Sequence, residues 1–142
     1  MSTVRQIIEA KQHKVLSIGP DATVYDALQR MAQHDVGALV VLEQDHLAGI
    51  FSERDYARKI ILHGKASKET QVREIMTSRV VCVGPAYTMD QCMALMTDKR
   101  VRHLPVLDHK RVIGVISIGD VVKEVISEQR FVIAQLEQYI HM

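Results

Sequence analysis

The chain has 142 residues, enough for one domain or two tightly packed half-domains, and its 47% hydrophobic and 25% charged residues are ordinary for a globular protein. Only 4% of the residues are aromatic and none is Trp, so the core must be aliphatic. The formal net charge of +1 gives no electrostatic case for nucleic acid or acidic membranes as partners.

The N-terminal segment "MSTVRQIIEAK" carries charges within its apolar run, so it does not have the apolar centre of a signal peptide. No stretch approaches the length of a membrane span. Cys82 and Cys92 have no metal-type spacing and are interpreted as reduced core or strand thiols. These features predict a cytoplasmic protein.

The predicted elements begin with a leading helix in "TVRQIIEAK", followed by a short strand in "KVLSIGP" that stops at Gly-Pro. The segment "TVYDALQRMAQHDV" has apolar residues at helical spacing, with Thr23 as N-cap. Two strands follow in "ALVVLEQDHLAGIFS", joined by a turn at Gln44-Asp45-His46. The stretch "ERDYARKIILHG" is predicted to be a helix.

The linker "GKASKETQVREIM" starts polar and ends in a second short leading helix, and the same series of elements then returns. "RVVCVGP" is a strand, and "TMDQCMALMTDKRV" is a helix with Thr88 as N-cap. "HLPVLDHKRVIGVIS" is a hairpin with a turn at His109-Lys110-Arg111, and the rest of the chain is one long helix.

Shifting the chain by 65 residues aligns it on itself without a gap over about 50 positions, which identifies an internal repeat. Each repeat predicts the order β-α-β-β-α. We therefore expect an α+β fold in which two repeats pack sheet to sheet about a pseudo-twofold axis. The predicted boundaries are 1–65 and 66–127, each with its own leading helix, and a helical extension over 128–142.

The most specific signal is a seven-residue motif that occurs twice, as "GIFSERD" at 49–55 and "GVISIGD" at 114–120. Both copies have a glycine, two apolar residues and Ser-x-x-Asp, and both lie where a strand passes into a helix. A Ser N-cap with an Asp three residues later is ordinary helix capping when it occurs once. Two copies in register favour a shared binding role.

With these motifs, the chain resembles a tandem pair of CBS domains, also called a Bateman module. The resemblance covers about residues 7–127 and is closest in kind to the stand-alone CBS-domain proteins of bacteria. It implies a regulatory, signal-transducing sensor that binds an adenine nucleotide such as AMP, ADP, ATP or NAD, or S-adenosylmethionine. It also implies a homodimer, a possible regulated protein partner and no catalytic cofactor.

The family assigns the motif Asp to the ribose hydroxyls, while the Ser hydroxyl and the helix N-terminus suit a phosphate. In the family fold each cleft draws on both repeats, which gives two unequal candidate sites. Site A combines Ser52, Arg54, Asp55, Thr77, Cys82, Arg102 and His103. Site B combines Gln12, Ser17, Gly37, Ala38, Ser117, Gly119 and Asp120. Since site A holds two arginines and a histidine, it is predicted to bind the phosphate.

Alternative interpretations remain open at this point. Site B could prefer a different ligand or none, and the whole module could be a structural dimerisation unit with empty or degenerate clefts. The seven histidines form no H-x-H or H-x-x-x-H pair, so no metal site is predicted. No nucleophile stands with a base, so the chain is predicted not to be an enzyme. The apolar positions of the last helix could pack on their own module or lie at a dimer surface.

Overall fold

The computed structural model describes residues 2–12 and 14–140. Its first half begins with helix α1, Val4–Lys11, and continues with strand β1, Ser17–Ile18, helix α2, Val24–His34, and strands β2, Ala38–Glu43, and β3, His46–Ser52. A short helix α3, Glu53–Asp55, then runs into a π-helical segment, Tyr56–Ile61. The predicted helix after the first motif is therefore present, but half of it is wound more loosely than an α-helix.

The second half repeats this order. Helix α4, Val72–Ile75, precedes helix α5, Met89–Lys99, the hairpin strands β4, His103–Asp108, and β5, Arg111–Ser117, and the 23-residue helix α6, Ile118–Ile140. Strands β1, β2 and β3 form one sheet in that order, and β4 pairs with β5 in another. The mixture of helices and strands confirms the predicted α+β class, while the predicted packing of the two repeats on each other stays a prediction.

Local chemistry explains where the central helices and hairpins begin and turn. The hydroxyls of Thr23 and Thr88 accept hydrogen bonds from the backbone N–H groups of Asp26 and Gln91, which confirms both predicted N-caps. The hairpin turns use two residues with positive φ, Gln44 and Asp45 in the first and His109 and Lys110 in the second. Two-residue turns of this hand match the twist of paired strands. His46 and Arg111, predicted as turn residues, instead begin β3 and β5.

The predicted strands before α2 and α5 are much shorter than their apolar runs. In the first repeat, β1 pairs in parallel with β2, with Ser17 opposite Val40. In the second, only a single bridge joins Val83 to Val106, where Val83 donates to the carbonyl of Pro105. Pro105 stands 65 residues after Val40 and has no N–H to give to a longer ladder.

The internal repeat is visible in the core. Six pairs of buried hydrophobic side chains are separated by 65 positions. They are Val24 and Met89, Ala27 and Cys92, Met31 and Met96, Leu39 and Leu104, Val41 and Val106, and Phe51 and Ile116. Phe51 is the one aromatic residue among them, so the predicted aliphatic core is nearly correct.

The leading segments do not pack as the sequence predicts. One compact unit comprises 14–81 and 108–113, and the other comprises the described parts of 1–13, 82–107 and 114–142. Helix α4 is therefore grouped with the first repeat, where Val72 N–H donates to Ala22 O at 2.8 Å. Helix α1 is grouped with the second repeat, where Val4 N–H donates to Tyr87 O at 2.8 Å. Each repeat thus carries the leading helix that precedes the other repeat in sequence.

The exchange follows from backbone groups at the start of α2 and α5 that need partners. The N–H of Val24 donates to Thr70 O at 2.8 Å, and the N–H of Met89 donates to Ser2 O at 2.9 Å. Each leading segment thus supplies a carbonyl acceptor to an unpaired N–H group in the first turn of α2 or α5. Among the described helices, none is both long enough and apolar enough to cross a membrane.

Candidate functional site

The first motif forms a closed hydrogen-bonded cluster around Asp55, which is only 8% exposed. The N–H and hydroxyl of Ser52 donate to Asp55 Oδ2 at 3.0 and 3.1 Å, and Asp55 N–H returns a bond to Ser52 Oγ at 3.2 Å. The other carboxylate oxygen, Oδ1, accepts from Thr77 Oγ1 at 3.2 Å. Thr77 is fixed in turn by two backbone hydrogen bonds with Ile50, each 2.9 Å long.

A lysine completes the environment of Asp55. Lys59 Nζ lies 3.1 Å from Asp55 Oδ1 and also donates to Ile75 O at 3.0 Å. Lys59 belongs to the π-helical segment, whose wider turn follows directly after the motif. Both carboxylate oxygens of Asp55 are therefore engaged, one by a capping serine and the other by a threonine and an ammonium group.

The second motif repeats the capping half of this arrangement at Asp120. Ser117 N–H and Oγ donate to Asp120 Oδ2 at 2.8 and 3.1 Å, and Asp120 N–H donates to Ser117 Oγ at 3.2 Å. The lysine comes from a different place in the chain: Lys11, at the end of α1, donates to the same Oδ2 at 2.9 Å and to Val115 O at 3.0 Å. Every hydrogen bond described for this carboxylate thus reaches Oδ2.

His103 lies within electrostatic reach of Lys11, Arg102 and Asp120 in the same compact unit. Burial lowers the pKa of His103 below its ordinary value, Lys11 and Arg102 lower it further, and Asp120 acts in the opposite direction. The backbone oxygen of Arg102 accepts from the N–H of Ile118 at 2.9 Å, which fixes the start of β4 beside the start of α6. Lys11 and Arg102 carry positive charges that can attract an anion, and the imidazole of His103 can donate a hydrogen bond to it.

The compact units bring together only some of the residues assigned to each predicted site. Ser52, Asp55 and Thr77 of site A meet as predicted, and Ser117 and Asp120 of site B likewise. Arg102 and His103, predicted for site A, are neighbours of the second motif. Ala38, predicted for site B, pairs with Ser52 in the first sheet, and Gly37 O accepts from Glu53 N–H at 3.1 Å.

The other predicted residues have simpler positions. Gln12 is exposed at the C-cap of α1, and Ser17 pairs with Val40 in the sheet. Arg54 and Gly119 lie on exposed first turns of the helices after the motifs. Cys82 is partly buried, and burial raises the pKa of its thiol, as it does for Cys92. Neither thiol forms a disulfide within the described residues. The assembly of all fourteen residues into two sites stays a prediction.

The leading segments do not follow the 65-residue offset of the repeats. They repeat with an offset of 68, since Thr3 bridges Thr88 as Gln71 bridges Thr23. The sequence contains a signal for this offset, because Gln6 and Glu74 each accept from the backbone N–H of the residue three positions earlier, Thr3 and Gln71. Neither offset points to Lys11, since 65 pairs Thr77 with Gln12 and 68 pairs it with Glu9.

The motif glycines also have a structural reason. A Cβ placed on Gly49 would lie 2.7 Å from the backbone oxygen of Thr77, and one placed on Gly114 would lie 2.8 Å from Ile8 Cδ1. The leading segment in each unit therefore packs against the strand at its glycine. This close approach brings Thr77 to Asp55 in one unit and Lys11 to Asp120 in the other.

The fold and the duplicated motif define a chain of two small α+β repeats, and comparison with known families gives the class a name. The family model described as CBS domain matches twice, at residues 4–62 and 72–127. The chain belongs to the CBS-domain family.

Similar proteins come from bacteria and plants. The chain is 51% identical over 125 residues to the mitochondrial CBS domain-containing protein CBSX3 of Arabidopsis thaliana, a match that covers 84% of this chain and 61% of that protein. The chain therefore spans about three-fifths of that relative's length.

Two solved structures show the same fold. A Burkholderia ambifaria protein with CBS domains, named for a proposed role in signal transduction, is 50% identical and covers 90% of this chain and 96% of its own, with a TM-score of 0.86. A hexameric CBS-CP12 protein from cyanobacteria is 31% identical, covers 85% of this chain and 70% of its own, and has a TM-score of 0.75.

Proposed function

We propose that this chain is a regulatory module that binds an adenine nucleotide and passes the signal to a protein partner. The observation that carries the proposal is the Asp120 cluster, in which a capped carboxylate pairs with Lys11, and both lie with Arg102 within electrostatic reach of His103. A carboxylate oxygen can accept a ribose hydroxyl, and Lys11, Arg102 and His103 are suited to a phosphate. Membership of the CBS-domain family supports the ligand class.

The proposal assigns the anionic part of the ligand to the second motif. Lys11 Nζ donates to Asp120 and Val115 O in the free chain, and a phosphate offers it a stronger acceptor. Release of Lys11 from Asp120 frees Oδ2 for the ribose at the same time. AMP, ADP, ATP and NAD all carry the required ribose and phosphate, whereas S-adenosylmethionine lacks the phosphate and should bind this site less well.

A second candidate function, a structural dimerisation module with empty clefts, is favoured by the first motif. Asp55 is buried, and Ser52, Thr77 and Lys59 already engage both of its oxygens. Such a cluster holds the end of β3 to the leading segment without any ligand. Under either function we propose a homodimer, since oligomers occur among similar CBS-domain proteins. We propose that the chain regulates a partner and does not itself catalyse a reaction.

Isothermal titration calorimetry with AMP, ATP, NAD and S-adenosylmethionine tests the nucleotide proposal. We expect at least one of these compounds to bind the wild type and Asp120→Ala to abolish that binding. Asp98→Ala is the control, because Asp98 is exposed on α5 and, among the described residues, pairs only with Lys99. Arg102→Ala should weaken AMP far more than adenosine.

Two results would contradict this assignment. Absence of heat for all four compounds at millimolar concentration would leave the structural dimerisation module as the function. Loss of AMP binding in Asp55→Ala, with Asp120→Ala and Arg102→Ala unaffected, would move the ligand to the first motif.

A further inference from the structure

The C-terminal helix α6 presents an apolar surface that the rest of the described chain does not cover. Val121, near its start, is buried, but every residue from 129 to 140 is exposed. Leu136 is 58% exposed and Tyr139 83%. Large apolar side chains exposed in a continuous row mark an interaction surface.

The exposed apolar residues follow a coiled-coil spacing. Counting alternately three and four residues from Val122 gives a seam in which five of six positions are apolar. A further row of three isoleucines, spaced seven residues apart, lies beside this seam. We call these nine residues the α6 stripe: Val122, Val125, Ile126, Gln129, Val132, Ile133, Leu136, Tyr139 and Ile140.

The stripe is complementary to a second copy of itself running in the opposite direction. In an antiparallel pair, Val122 faces the partner's Tyr139, Val125 faces its Leu136 and Gln129 faces its Val132. This register uses all six seam positions. A shift by one heptad in either direction leaves residues at one end of the stripe without a partner.

The residues flanking the seam also favour the antiparallel direction. On one flank lie Ile126, Ile133 and Ile140, and on the other lie Glu128 and Gln135. An antiparallel pair places each flank against the same flank of the partner, so isoleucine meets isoleucine and polar meets polar. A parallel pair would instead place Glu128 against an isoleucine, which would remove the carboxylate from water.

The exposed area is large enough for a stable contact. The seven apolar stripe residues that are exposed by more than a third range from 42% for Ile126 to 83% for Tyr139. With about 150–250 Å² for a full aromatic side chain and somewhat less for an aliphatic one, they present roughly 700 Å² per chain, close to the about 800 Å² per partner of a standard interface.

We propose that two copies of this chain associate through the α6 stripe as an antiparallel helix pair. This inference rests on the homodimer proposed above and names its contact surface. It does not depend on nucleotide binding, because no residue of the Asp120 cluster belongs to the stripe. Calorimetry with AMP on the same variants therefore separates a failure of the helix pair from a failure of the nucleotide site.

The first test compares Leu136→Glu with Gln138→Glu by sedimentation equilibrium of the full chain. Both variants add one negative charge to an exposed turn of α6, but Gln138 lies outside the stripe and both of its flanks. We expect wild type and Gln138→Glu to give twice the monomer mass of 16.1 kDa at micromolar concentration. Leu136→Glu should weaken the dimer by roughly 30-fold or more, the effect typical of a central interface residue. Circular dichroism checks that helicity is kept.

The second test determines the direction of the pair. In a background of Cys82→Ser and Cys92→Ala that remains dimeric, Val125→Cys and Leu136→Cys are cross-linked separately and as a mixture. An antiparallel pair gives the cross-linked dimer only in the mixture, whereas a parallel pair gives it for each variant alone.

Three results would overturn the inference. They are an unchanged dimer affinity in Leu136→Glu, cross-linking of each cysteine variant alone, and a monomeric wild type whose α6 binds lipid vesicles.

Discussion

Asp55 and Asp120 occupy equivalent positions 65 residues apart, and each is held by a serine three residues earlier. Their remaining neighbours differ. Asp55 is engaged at both oxygens by residues of one unit, with Thr77 and Lys59 on Oδ1. Within the described residues, the hydrogen bonds of Asp120 all reach Oδ2, and its lysine comes from the leading helix α1. The same motif thus supports a closed cluster in one unit and an open cationic one in the other.

This difference teaches that the local motif fixes the capped carboxylate, while the leading segment decides what the carboxylate can do. Lys59 stands four residues after Asp55, and the position equivalent to it in the second repeat is Glu124. Glu124 accepts from Ser2 N–H at 3.0 Å, and this hydrogen bond lowers the pKa of its carboxyl. An acid there cannot neutralise Asp120, so Lys11 supplies the positive charge.

The largest expected effect is on the stability of the first unit. Asp55→Ala should lower the free energy of unfolding by about 3 kcal/mol, because it removes a buried acceptor from Ser52, Thr77 and Lys59. Asp120→Ala should lower it by about 1 kcal/mol, mainly through the lost cap. Urea denaturation of both variants measures the comparison. Equal losses for the two would mean that Asp55 is not the more structural of the pair.

Replacing the motif glycine should also destabilise the first unit more than the second. Gly49→Ala places a methyl group against the backbone oxygen of Thr77, a residue held by two backbone hydrogen bonds with Ile50. We therefore expect the free energy of unfolding to fall by about 2 kcal/mol. Gly114→Ala meets three side-chain carbons of Ile8, which can shift more easily than a backbone oxygen, so the loss should be smaller, about 1 kcal/mol. Thermal unfolding of both variants checks this order, and the reverse order would show that Ile8 is the more rigid neighbour.

Much of this arrangement could be predicted from the sequence because it depends on short-range chemistry. The repeat, both threonine caps, both hairpins and the serine-aspartate clusters all follow from residues within a few positions of each other. The exchange of leading helices could not be predicted in this way, because it depends on backbone partners such as Val24 and Thr70 that are far apart in sequence. The loose winding of Tyr56–Ile61 has no signal in the sequence, since the second repeat aligns there without a gap.

The variant Lys11→Met tests whether the lysine at the second motif binds the phosphate of the nucleotide. Loss of a charge-assisted bond to phosphate of about 1.5–3 kcal/mol should weaken AMP by about tenfold or more. Adenosine has no phosphate, so its affinity should stay the same or rise as Asp120 loses a competing partner. Lys99→Met is the control, because Lys99 is exposed at the end of α5. Calorimetry that shows equal losses for AMP and adenosine would remove Lys11 from the phosphate site.

The smallest expected effect is a pH dependence of stability caused by His103, which belongs to the unit of the second motif. Burial, followed by Lys11 and Arg102, lowers the pKa of His103 in the folded chain below its ordinary value near 6.5. The unfolded chain therefore binds more protons than the folded chain below about pH 6.5, so stability should fall as the pH drops through that range. His103→Gln should reduce this fall.

A bound phosphate reverses the balance at His103, because its negative charge favours the imidazolium. AMP binding should therefore take up a proton and tighten as the pH is lowered from 7 towards 6. Calorimetry in two buffers of different ionisation enthalpy measures the uptake, which should disappear in His103→Gln. Uptake that persists in His103→Gln would assign the proton to the phosphate itself, and the cationic cluster would then act through Lys11 and Arg102 alone.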